Sequence, residues 1–80
     1  MVTQEVAERM CNKLVEAYLN ACKPRDMDDL RNLTIKLISM AGLSLAATHG
    51  KEEAVALIRS VAEHVGENAH RAHAEIIHRH

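Results

Sequence analysis

Histidine is the residue type with the most chemical potential in this sequence, and it gathers at one end. His70, His73, His78 and His80 fall near the carboxyl end, with His64 one and a half helical turns earlier. His70 and His73 stand i,i+3, so their rings converge if the segment is helical, and Glu67 precedes His70 by one turn. Imidazole and carboxylate at helical spacing is how helical bundles assemble metal sites. Against that chemistry, there is no His-x-x-x-His pair and no cysteine pair at metal spacing, and His78 and His80 sit where a terminus frays. The reading adopted is therefore solvated polar residues, favourable beside the carbonyl end of a helix when protonated. A metal site through Glu67, His70 and His73 is one alternative. A pH-sensing tail that gains several positive charges around pH 6.5 is the other.

The nucleophiles offer less. Cys11 and Cys22 belong to one predicted helix, where about 1.5 Å of rise per residue holds them roughly 16 Å apart, beyond disulfide reach. They are expected to be reduced, half-buried small apolar residues of a cytoplasmic protein. Ser39, Ser44 and Ser60 all fall inside predicted helices, without the glycine pattern of a nucleophile elbow. The turn Thr48-His49-Gly50-Lys51 resembles neither a phosphate-binding loop nor the dinucleotide fingerprint. The expectation is a protein that is not an enzyme and takes no cofactor.

Charge narrows the partners. The net charge is −1, and the bases Arg9, Lys13, Lys23, Arg25, Arg31 and Lys36 are scattered among acids. A polyanion-binding protein presents a basic face instead. Nucleic acid is thus disfavoured, although a DNA-binding regulator is kept as the alternative because many small helical dimers are of that kind. The segment Met1-Val2-Thr3-Gln4-Glu5 lacks the basic and apolar regions of a signal peptide. The longest apolar stretch, Leu33 to Ala47, is interrupted by Lys36 and is too short to span a bilayer. No membrane partner is expected.

The elements that position these residues are helices. Thr3 caps a first helix over 4–22, with Val6, Ala7, Met10, Leu14, Ala17, Tyr18 and Ala21 on one side. Lys23-Pro24-Arg25-Asp26 ends it, because proline disfavours helical geometry in the residue before it. Asp26 caps a second helix over 27–48, whose main apolar arc is Leu30, Leu33, Leu37, Ile38, Met40, Ala41 and Leu45. Gly50 stops that helix, and a third runs over 51–79. Ala54, Ile58, Val61, Val65, Ala69, Ala72 and Ile76 keep to one arc of it straight through Gly66, which predicts continuity there.

Those faces exceed what a single copy can cover. Eighty residues with no Trp, no Phe and Tyr18 as the one aromatic lie near the size at which a core becomes marginal. On the second helix Ile35, Ser39, Gly42 and Ala46 form a second stripe, with Leu43 beside them. Small residues at this spacing let helix backbones approach closely. The neighbour is either a second copy or another helix of the same chain. Ala69, Ala72 and Ile76 would project beyond a three-helix monomer and need covering too. The expected product is all-α: one domain over 1–80, a helical hairpin plus a long carboxyl-terminal helix, forming a dimeric helical bundle. The expected interface is Ile35, Ser39, Gly42, Leu43, Ala46, Ala69, Ala72 and Ile76. The expected role is that of a non-catalytic interaction, adaptor or inhibitor protein that binds itself and another macromolecule, expected to be a protein, in the cytoplasm. After the DNA-binding regulator comes a histidine-dependent metal-binding or pH-sensing protein.

Overall fold

The computed structural model describes residues 1–71, and among these every regular element is helical. Helix α1 spans Gln4–Cys22, α2 Met27–His49 and α3 Lys51–Asn68, and a single 3₁₀ turn, Ala69–Arg71, follows. Among the described residues no helix is long and apolar enough to cross a membrane.

Local chemistry accounts for each boundary. The Thr3 hydroxyl accepts a hydrogen bond from the Val6 amide at 3.2 Å, satisfying one of the first-turn donors of α1. At the other end Lys23 takes a left-handed conformation (φ 53°), and its amide donates to the Leu19 carbonyl at 3.2 Å. Pro24 then prevents continuation. Helix α2 is capped by Asp26, whose Oδ1 accepts from the Asp29 amide at 2.8 Å. The Asp29 carboxylate reaches back to the preceding segment. It accepts from the Arg25 amide at 2.9 Å and pairs with both Nε and Nη2 of the guanidinium at 2.9 and 3.3 Å. The result is a reciprocal cap in which the returning bond falls one residue earlier than in the usual capping box.

Gly50 alone separates α2 from α3. Its φ of +89° suits a residue without a side chain, its amide donates to the Ala46 carbonyl at 2.9 Å, and its own carbonyl accepts from Ala54 at 3.0 Å. One residue therefore ends one helix and opens the next. Helix α3 passes through Gly66 as the apolar arc requires. Among the described residues its α geometry ends at Asn68, and Ala69–Arg71 tighten into 3₁₀ form. Ala72, His73, Ile76, His78 and His80 lie outside the described residues.

The chain divides into two compact units, and the division falls inside the unbroken helix α2. In the first unit, residues 1–33, Leu19 is the buried side chain at 5 % exposure, with Val15, Tyr18, Leu30 and Leu33 half-buried. The Tyr18 hydroxyl donates to the Leu33 carbonyl at 2.9 Å, so the one aromatic residue ties α1 to the first turns of α2. The expected face of α1 is corrected in part. Val6, Ala7 and Tyr18 of that face are half-buried as expected, but Met10, Leu14, Ala17 and Ala21 are exposed, and Val15 and Leu19 are covered instead. The covered residues of the later turns thus lie to one side of the arc that counting apolar residues favours, with Tyr18 common to both.

In the second unit, which begins at Thr34, Ala54 is buried at 2 % exposure. Gly42, Leu45 and Ala46 of α2 are half-buried. The expected arc of α2 is correct at Leu30, Leu33, Leu37 and Leu45, but Ile38, Met40 and Ala41 are exposed.

Candidate interaction surface

The residues with chemical potential stand apart from one another. His64 faces its own helix: the Asn68 amide nitrogen lies 3.3 Å from His64 Nδ1 and donates to the His64 carbonyl at 2.9 Å. Glu67 is exposed on α3 and His70 is exposed in the 3₁₀ turn. Their spacing is Glu-x-x-His, as is that of Glu75 and His78, the latter pair being outside the described residues. Among the described residues no group of three or more His, Cys, Asp or Glu is placed to hold a metal ion. Cys11 and Cys22 are free, and both are exposed rather than half-buried, although they lie on the same stripe of α1 as Val15 and Tyr18. Ser39, Ser44 and Ser60 are exposed on helix surfaces. The Thr48 hydroxyl sits 3.1 Å from the Ser44 and Leu45 carbonyls and 2.8 Å from His49 Nδ1, a local arrangement that finishes α2.

Among the described residues one ion pair is perturbed with a clear cause. The hydrogen bonds from the Arg25 side chain, then that from its backbone amide, hold the Asp29 carboxyl below its usual range. The same pair raises Arg25. Both groups belong to the α2 cap and serve the fold.

What the structure does present is apolar surface on every helix. Helix α1 exposes Met10 and Leu14, α2 exposes Ile35, Ile38, Met40 and Leu43, and α3 exposes Val55, Leu57, Ile58, Val61 and Val65. From Leu37 to Thr48 helix α2 has no charged residue on any side. Its polar positions there are the exposed hydroxyls Ser39, Ser44 and Thr48. Helix α3 is different. Glu52, Glu53, Arg59, Glu63 and Glu67 share one side, and the apolar residues occupy the other.

Burial along α3 falls away from the turn. Ala54 is at 2 % exposure, Ile58 at 38 %, Val61 at 58 % and Val65 at 59 %. The α2–α3 hairpin thus covers its own seam only near Gly50. At the seam, the Cβ that Gly42 lacks would stand 3.1 Å from Ile58 Cδ1. The small-residue stripe of α2 accordingly meets a helix of the same chain at Gly42 and at the half-buried Ala46. Ile35, Ser39 and Leu43 remain exposed on α2, as does Ala69 in the 3₁₀ turn. Ala72 and Ile76 fall outside the described residues. Sequence reasoning did not single out Leu57. Its position four residues before Val61, on the uncharged side of α3, was the available signal.

Comparison with protein families, with curated proteins and with solved structures found no match to this chain.

Proposed function

We propose that this chain is a non-catalytic helical interaction protein that works as a homodimer and whose output is the binding of another macromolecule. One observation carries the reading. Among the described residues two apolar side chains are buried, Leu19 and Ala54, while all three helices expose large apolar residues. The hydrophobic effect returns roughly 1.5–3 kcal/mol for each such side chain fully buried, so a partner that covers these faces is strongly favoured. A second copy is the partner always present at the same concentration, and cyclic dimers are the commonest oligomers. Surface left over on a dimer is then available to a further protein. A reducing, cytoplasmic setting agrees with two exposed free thiols.

Light scattering on the purified full chain at micromolar concentration tests the first half of this reading. A particle of twice the 8.9 kDa chain mass supports it, and a monodisperse single copy at 100 μM refutes it. Titration with mixed-sequence duplex DNA at low salt tests the second half. Micromolar binding with a steep salt dependence would replace the protein-binding role by that of a DNA-binding regulator.

A further inference from the structure

We draw no further inference here: the strongest candidate, the surface patch of apolar side chains that the α2–α3 hairpin leaves exposed (Ile35, Ile38 and Leu43 of α2 with Val55, Leu57 and Val61 of α3), is unpartnered, and nothing in the structure shows what covers it.

Discussion

Two glycines inside helices provide a controlled comparison. Gly66 lies in α3 with no heavy atom within 4 Å of the position a Cβ would take, so Gly66→Ala changes only the backbone preference. Alanine in place of glycine in a helix interior is worth about 1 kcal/mol. For a chain of this size that corresponds to a rise in melting temperature of about 4–8 °C. Gly42→Ala gains the same preference, but its Cβ would meet Ile58 Cδ1 at 3.1 Å. Displacing Ile58 from its rotamer costs about 0.5–1.5 kcal/mol, which cancels most or all of the gain. The expected outcome is therefore a clear stabilisation for Gly66→Ala and almost none for Gly42→Ala. Circular dichroism at 222 nm during heating and urea titration measures both, at one protein concentration because association contributes to stability. Equal stabilisation by the two substitutions would show that α3 does not lie over Gly42. The close approach of α2 and α3 at Gly42 would then be wrong.

Other consequences are more local. Tyr18→Phe removes the hydrogen bond to the Leu33 carbonyl while keeping the ring, and a loss of about 0.5–1.5 kcal/mol in urea unfolding is expected. Asp26→Ala removes the side-chain cap of α2 and should cost about 1 kcal/mol, with Asp26→Asn nearly neutral. Because Arg25 lowers the Asp29 carboxyl in the folded chain, that group adds stability above its unfolded value, and the contribution is lost as pH falls through the folded one. The gap in urea midpoint between wild type and Asp29→Asn should accordingly be open at pH 7 and closed at pH 2. A gap independent of pH would dismiss the Arg25 clamp as its cause.

The limits of the helices were legible because each is written in residues that act on their own neighbours. Thr3, Pro24, Asp26 and Gly50 stop or start a helix through bonds spanning at most four residues. The rotation of α1 was not legible. Val15 and Leu19 are an apolar pair as plausible as Met10 and Leu14, and what distinguishes them lies in contacts with α2 such as that of Tyr18 with a carbonyl fifteen residues away. The small-residue stripe on α2 correctly marks close helix approach at Gly42, yet small size alone carries no information on whether the approaching helix belongs to the same chain. The tightening over Ala69–Arg71 escaped notice for a different reason: the apolar arc continues past it, and periodicity is blind to such a change in the backbone.

The single-residue link at Gly50 also bears on the order in which surfaces come into being. Gly42 and Ile58 meet across sixteen positions of sequence, and the Gly50 and Ala54 amide bonds across four. Contacts this near in the chain form on the order of microseconds to milliseconds, whereas encounter between copies slows with every dilution. On the proposed homodimer, refolding should hence show a rapid step indifferent to protein concentration, then a later one that scales with it. Under that proposal the hairpin is a finished reagent well before it finds a counterpart.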